Sequence, residues 1–244
     1  MSFPSVHVSG LHYQYPGGPV ALKGLSFSLA QGEHVALLGP NGAGKSTLIQ
    51  HLNGILVGNG EVQIGELRVE SKTLREIRRR VGVLFQDPDD QLFCPTLEED
   101  VAFGPRNFGL SGSELLRRVD DALRATNLLN LRRRPPFQLS MGERRRAALA
   151  TVLACQPEIV VMDEPSANLD PRHRRELIRW IQNWSGTLLI ATHDLDMALE
   201  ATSRCLLIDG GELVADAPSA ELLRNQALLE AHGLELPLRL QGWP

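Results

Sequence analysis

Residues 39–47 read Gly-Pro-Asn-Gly-Ala-Gly-Lys-Ser-Thr, directly after the apolar run Glu33 to Leu38. No other feature limits the fold of this chain so tightly. A Gly, four residues, then Gly-Lys-Ser is the pattern of a phosphate-binding loop set between a buried strand and a helix. Gly39, Gly42 and Gly44 let the backbone turn so that its N–H groups converge on phosphate oxygens. A helix beginning near Lys45 adds the positive end of its dipole. Lys45 then reaches the β- and γ-phosphates of a nucleotide, and the Ser46 hydroxyl ligates Mg²⁺. Pro40, Asn41, Ala43 and Thr47 complete the nucleotide-binding stretch. A ligand-free glycine-rich turn shares this composition; the strand–loop–helix context separates the two.

The rest of the chain alternates strand and helix around that loop. Val6 to Ser9 and Leu25 to Leu29 alternate as half-buried strands do, with Pro16 to Pro19 as the loop between them. Residues 60–69 read as a hairpin region, and Val81 to Phe85 as a strand. From Asp87 to about Pro136 the pattern turns helical. Leu115, Val119, Ala122 and Leu123 recur at helical spacing, with Arg117, Arg118, Asp120 and Asp121 facing out. Capping boxes are expected at Thr73/Glu76, Thr96/Glu99, Ser111/Glu114 and Ser140/Glu143. Glu158 to Met162 and Thr187 to Ala191 are β-rich, and Arg172 to Trp184 and Asp194 to Thr202 helical. Cys205 to Ile208 and Glu212 to Ala215 pair through Gly210 and Gly211, and helices follow around 219–232. Strand–helix alternation implies a parallel sheet covered on both faces. The expectation is one α/β domain: residues 1–86 and 157–244 form the core with a β subdomain, and 87–156 form an inserted α-helical subdomain.

Composition excludes several classes. At 244 residues with 43% hydrophobic and 22% charged residues, the chain has the make-up of a globular protein with a sizeable core. A net charge of -4 argues against broad nucleic-acid binding. No apolar run approaches the roughly 18 residues of a membrane helix. No Lys or Arg precedes Lys23, so the charged start of a signal peptide is missing. Cys94, Cys155 and Cys205 are widely spaced and odd in number, as reduced thiols are. Together these point to a soluble cytoplasmic protein.

Two further motifs carry chemistry. Ile159 to Glu164 is an apolar strand ending in two carboxylates, which emerge at the carboxyl edge where ligands of open α/β sheets bind. There Asp163 holds Mg²⁺ and Glu164 polarises an attacking water as general base; a charged turn after a buried strand has the same sequence. Leu139-Ser140-Met141-Gly142-Glu143 is both a capping box and a phosphate-compatible helix start.

In this order the pieces resemble the ATP-binding cassette family, the ATPase subunits of ABC transporters, and the resemblance covers nearly the whole chain. It implies ATP and Mg²⁺ as cofactors and a phosphate-loop NTPase core of ABC type with an antiparallel β subdomain. By resemblance, Tyr15 stacks on adenine, and Gln86 senses Mg²⁺ and the attacking water and connects to a membrane partner. His193 in Thr-His-Asp holds the γ-phosphate and helps position the water. Ser140 and Gly142 act in trans on nucleotide held by a second subunit, and Asp170, in the Ser166 to Asp170 stretch, helps join the two. The signature departs from the family's usual Leu-Ser-Gly-Gly-Gln at Met141 and Glu143.

Gln86-Asp87-Pro88-Asp89-Asp90-Gln91-Leu92-Phe93 and Val101-Ala102-Phe103-Gly104-Pro105 look like the energy-coupling-factor branch. The stretch Leu229 to Pro237 looks most like its cobalt/nickel members. The resemblance implies a peripheral ATPase on the cytoplasmic face of the membrane that forms a homodimer. Its partners would be an integral membrane energy-coupling protein and a substrate-binding membrane protein, with no nucleic acid involved. Vitamin uptake is the alternative cargo; a soluble ATPase of this type acting on nucleic acid or ribosomes is the alternative class.

Overall fold

The computed structural model describes residues 5–242. Two sheets organise them. The first strands are β1 (Val6–Gln14), β2 (Val20–Leu29) and β3 (His34–Leu38), followed by α1 (Lys45–Leu52), β4 (Asn59–Ile64) and β5 (Leu67–Arg68). Strands β2-β1-β4-β5 form an antiparallel sheet. Then come α2 (Leu74–Arg80), β6 (Val81–Leu84), α3 (Leu97–Asn107), α4 (Gly112–Ala125) and α5 (Met141–Ala154). The chain continues through β7 (Ile159–Asp163), α6 (Pro171–Asn183), β8 (Thr187–Ala191), α7 (Leu195–Ala201), β9 (Arg204–Asp209) and β10 (Glu212–Pro218). Two short helices, α8 (Ser219–Leu222) and α9 (Gln226–Ala231), follow.

The second sheet runs β10-β9-β3-β8-β7-β6 and is parallel from β9 to β6. Strands β7 and β8 are buried at every residue, and β3 at all but His34. That explains why they read as unbroken apolar runs and not as alternating ones. β10 pairs antiparallel with β9 at the edge, so the sheet is mixed there, a consequence of the tight Gly210–Gly211 turn.

The apolar core is not continuous. Leu97, Val101, Leu115, Val119, Leu123, Leu128 and Ala147 make one cluster among α3, α4 and α5, while the strands and α1 make another. Two expected capping boxes form, at Thr96/Glu99 and Ser140/Glu143. The other two do not. Thr73 caps α2 from a near-helical backbone (φ −102°, ψ −9°) and turns its hydroxyl back to the Arg68 and Glu70 carbonyls. Its intended partner Glu76 pairs with Arg80 at 3.2 Å. At α4, Gly112 follows the cap with φ +59°, the first turn is distorted, and the Ser111 hydroxyl caps nothing. Glu114 instead faces Arg118 at 3.6 Å.

Candidate active site

The phosphate loop leaves β3 at its carboxyl end and enters α1. Gly39 has φ +149°, and a Cβ there would overlap the Ile208 carbonyl of β9. Gly44 has φ +104°, and a Cβ there would run into Ala21 and Leu22 of β2. Both positions therefore exclude side chains, and the loop is clamped between the two sheets. Gly44 caps α1 with no side-chain hydrogen bond. The first N–H groups of that helix are left for an anion.

The Lys45 side chain is buried along this loop, and its Nζ donates to the carbonyls of Gly39 (2.6 Å) and Pro40 (3.0 Å). Burial lowers its affinity for a proton; Glu164 and then Asp163 oppose that shift by their charge. Asp163, the last residue of β7, is buried beside the Ser46 hydroxyl. Burial raises its pKa, and the Ser46 hydroxyl and Lys45 pull it back. A hydroxyl and a carboxylate oxygen are hard donors, and with phosphate oxygens they suit Mg²⁺. No group of three or more His, Cys, Asp or Glu able to hold a metal occurs among the described residues. A Mg²⁺ held by Ser46 and Asp163 would fill the rest of its shell with water and phosphate oxygens.

Glu164 is held in an unusual backbone state, φ +47°. Two contacts over-determine it: its N–H donates to Ala191 O (2.8 Å), and its carbonyl accepts from Nη1 of buried Arg145 (2.9 Å). Its side chain is 8% exposed, and Oε2 accepts the His193 backbone N–H at 3.2 Å. The same oxygen lies 2.7 Å from His193 Nδ1. Both contacts fall on Oε2, which leaves Oε1 for water. The His193 ring is 66% exposed, and its other nitrogen is free to meet a ligand.

A cleft of about 830 Å³ collects these groups: Tyr15, the whole run Gly39 to Thr47, Gln86, Asp163, Glu164 and His193. The Tyr15 hydroxyl lies 3.1 Å from Thr47 Oγ1, and its ring meets Tyr13 edge-on. Pro19, Val20, Ala21, Lys23, Gly210, Gly233 and Leu234 complete the walls. The sequence offered no signal for these: Pro19 to Lys23 belong to no motif, and Gly210, Gly233 and Leu234 come from segments distant in the chain. Arg145 was equally invisible, one of three consecutive arginines that the helix sends to different neighbours.

Ser140, Gly142 and Asp170 do not line this cleft. Ser140 and Glu143 close on each other: the Ser140 N–H and hydroxyl donate to Glu143 Oε2 at 2.8 and 2.9 Å, and Glu143 N–H returns to the hydroxyl at 3.3 Å. Gly142 borders a separate cavity of about 240 Å³ beside Leu169 and His173. Asp170 caps α6 and pairs with His173 Nδ1 at 2.6 Å.

A family model described as ABC transporter matches residues 22–167. The energy-coupling factor transporter ATP-binding protein EcfA of Carboxydothermus hydrogenoformans is 46% identical over 96% of this chain and 88% of its own length. The structure of CbiO1 from Clostridium perfringens, part of the ABC transporter complex cbiONQ, superposes with a TM-score of 0.81. The two share 34% identity, over 96% of each chain. A dimeric structure of the ATP-binding cassette MJ0796, in a post-hydrolysis state with ADP and Pi, gives 0.79 at 27% identity, over 88% of this chain and 98% of that one.

Proposed function

This chain belongs to the ABC transporter family as an ATP-hydrolysing, ATP-binding subunit, and we propose that it dimerises on ATP and powers an energy-coupling-factor importer for cobalt or nickel. The observation that carries the dimer reading is the split just described. The phosphate loop, Gln86, Asp163, Glu164 and His193 share one cleft, while Ser140 and Gly142 stand outside it. A nucleotide in that cleft reaches the signature only on a second subunit. The cobalt or nickel reading is supported by the likeness to CbiO1 and by the Leu229 to Pro237 stretch.

The chemistry is positioning and electrostatic stabilisation of the transferring phosphoryl group. The loop N–H groups and Lys45 bind the phosphates; Lys45 trades its two backbone carbonyls for them. Ser46 and Asp163, with Gln86 nearby, would hold Mg²⁺, which supplies charge neutralisation at the β- and γ-oxygens. Glu164 takes the proton of the attacking water through Oε1. His193, fixed by Oε2 of the same carboxylate, meets the γ-phosphate with its free nitrogen. Tyr15 covers the base. Ser140 and Gly142 of a second copy approach the γ-phosphate from the opposite side, and Asp170 joins the two copies.

Residues 87–156 act as the lever between the ATP site and a membrane partner, against a core of 1–86 and 157–244. Support comes from the separate apolar cluster of α3, α4 and α5 and from a groove of about 230 Å³ beside Phe85, Phe93, Phe103 and Phe108. Phe93 and Phe103 stack edge to face at 4.9 Å yet remain 63% and 46% exposed. Buried Asp100 holds that loop by accepting the N–H groups of Phe93 and Cys94. An exposed aromatic pair, Phe93 on that fixed loop and Phe103 on α3, suits a segment of an integral membrane protein. No helix among the described residues is long and apolar enough to cross a membrane itself, consistent with peripheral attachment to its cytoplasmic face.

The test is purification of the tagged chain from its native host in detergent, with mass spectrometry of what co-purifies. We expect an integral membrane energy-coupling protein and a substrate-binding membrane protein of the metal type. A vitamin-binding component would move the cargo to vitamins. Recovery of ribosomal or other soluble proteins alone would overturn the importer reading.

A further inference from the structure

The stretch Leu229-Glu230-Ala231-His232-Gly233-Leu234 has no role in the chemistry above, yet two of its residues stand in the wall of the ATP cleft. Its local geometry explains how they arrive there. α9 ends at Ala231 with His232 as its C-cap, and Gly233 follows with φ +68°. The Leu234 N–H donates to Leu229 O (2.9 Å) and the Gly233 N–H to Glu230 O (3.1 Å). Those two bonds and the left-handed glycine make a Schellman turn, which brings the residue after the glycine back against the helix. That residue is Leu234, half-buried, packed on the apolar cluster that includes Leu229.

A second contact registers the turn against the cleft. His232 Nδ1 lies 2.9 Å from Asp209 Oδ2 at the end of β9. Asp209 directly precedes Gly210, another wall residue, and the Gly211 N–H donates to Ala43 O inside the phosphate loop at 3.1 Å. The carboxy-terminal turn is therefore fixed, through β9 and its turn, to the loop that holds phosphate. The next segment is fixed too: the N–H groups of Leu238 and Arg239 donate to Asp196 of α7 at 3.0 and 3.1 Å.

Phosphates require N–H groups and ammonium, and the loop supplies them. A leucine side chain offers neither. It suits the part of a nucleotide that carries an apolar face, the base and its sugar. We propose that Leu234 packs against the base-and-ribose end of bound ATP, and that His232 is a positioning residue that holds it there through Asp209. The inference rests on the cleft being the ATP site.

The test compares ATP with inorganic tripolyphosphate, which presents the phosphates without base or sugar, by titration calorimetry in Mg²⁺ on the full chain. Leu234→Ser is expected to raise the Kd for ATP about fivefold by removing apolar contact area, with tripolyphosphate unmoved. In turnover the loss falls in KM. His232→Ala moves ATP affinity in the same direction, and His232→Gln, whose amide donates to Asp209, restores it. An unchanged ATP affinity in Leu234→Ser, or an equal loss for ATP and tripolyphosphate, overturns the inference alone. A wild-type chain that binds neither ligand overturns the ATP-site reading and this inference with it.

Discussion

The ATP cleft and the signature turn are stabilised at different ranges along the chain. In the cleft, Glu164 is fixed by Ala191, His193 and Arg145, and Tyr15 by Thr47, so the contacts span 19 to 32 residues of sequence. At the signature, the Ser140 and Glu143 side chains bond only each other's residue, and the Asp170 side chain bonds residues two and three positions on. The cleft is open at its mouth but buries Lys45, Asp163 and Glu164; it includes a residue in a strained backbone state and two ionisable groups whose charged forms burial opposes. The signature is an exposed helix cap. A site assembled from long-range contacts is preorganised in one subunit. A cap that satisfies itself locally is left, in the proposed dimer, to meet a second surface. Substitutions in the first region should change what a single subunit does, and those in the second only what a pair does.

The sharpest way to break that contrast is Glu164→Gln. The amide cannot take a proton from water, so kcat is expected to fall by about 10² to 10⁴-fold. ATP still binds, and the closed dimer accumulates because opening follows hydrolysis. Steady-state phosphate release and size-exclusion chromatography in MgATP check both halves. Turnover like that of the wild type would remove Glu164 as the base.

Lys45→Ala comes next. It deletes the one ammonium of the phosphate loop, so ATP affinity of the isolated subunit should drop by about tenfold to a hundredfold. The buried alkyl stem and two carbonyl contacts go with it, so thermal unfolding is read alongside titration calorimetry. An unchanged Kd for ATP would place the phosphates somewhere other than the loop.

Ser140→Ala probes the other region. It removes the hydroxyl that accepts from Glu143 N–H and costs about 1 kcal/mol of helix stability. ATP binding by a single subunit is expected to stay at the wild-type value. Turnover, which needs the pair if the proposed dimer is the active form, is expected to fall about tenfold. Equal turnover in wild type and variant would reduce Ser140 to a cap and nothing more.

The same contrast explains what could be read in advance. The phosphate loop and the Asp163-Glu164 strand end were legible because their function demands a fixed spacing within a few residues. Helix starts were half legible. The Ser/Thr-x-x-Glu pattern occurs at Thr73, Thr96, Ser111 and Ser140, and it forms a box at Thr96 and Ser140 only. A box needs an extended cap residue followed by a regular first turn. Thr73 fails the first condition and Ser111, preceding left-handed Gly112, the second. Neither backbone state is written in the pattern. Arg145, Gly210 and Leu234 were illegible for a different reason: they are brought to the site by the packing of α5, β9 and α9 against distant elements, and no local periodicity encodes that.

Glu143→Gln isolates the smallest effect and bears on the departure of this signature from Leu-Ser-Gly-Gly-Gln. Glutamine keeps an acceptor for Ser140 N–H, so the box survives and only the charge is lost. The Glu143 carboxylate is held below the ordinary carboxylate range, first by the Ser140 backbone N–H and then by its hydroxyl. Its folded-state pKa is therefore lower than its unfolded one. The stability it contributes is complete above the unfolded value near pH 4.3 and is lost as the pH falls through the depressed folded value. In the variant this acid-side dependence should vanish, seen as a flatter melting temperature between about pH 5 and pH 3. At neutral pH the stability difference should stay below about 1 kcal/mol. In the proposed dimer the charge is expected to matter more between subunits than within one. A carboxylate on the surface that meets ATP of a partner repels its phosphates, so the variant should dimerise at roughly half to a third of the wild-type ATP concentration, an effect that added salt diminishes. An identical ATP requirement at low salt would mean that Glu143 faces its own cap and not the partner's nucleotide. The two regions would then be independent even in the closed pair.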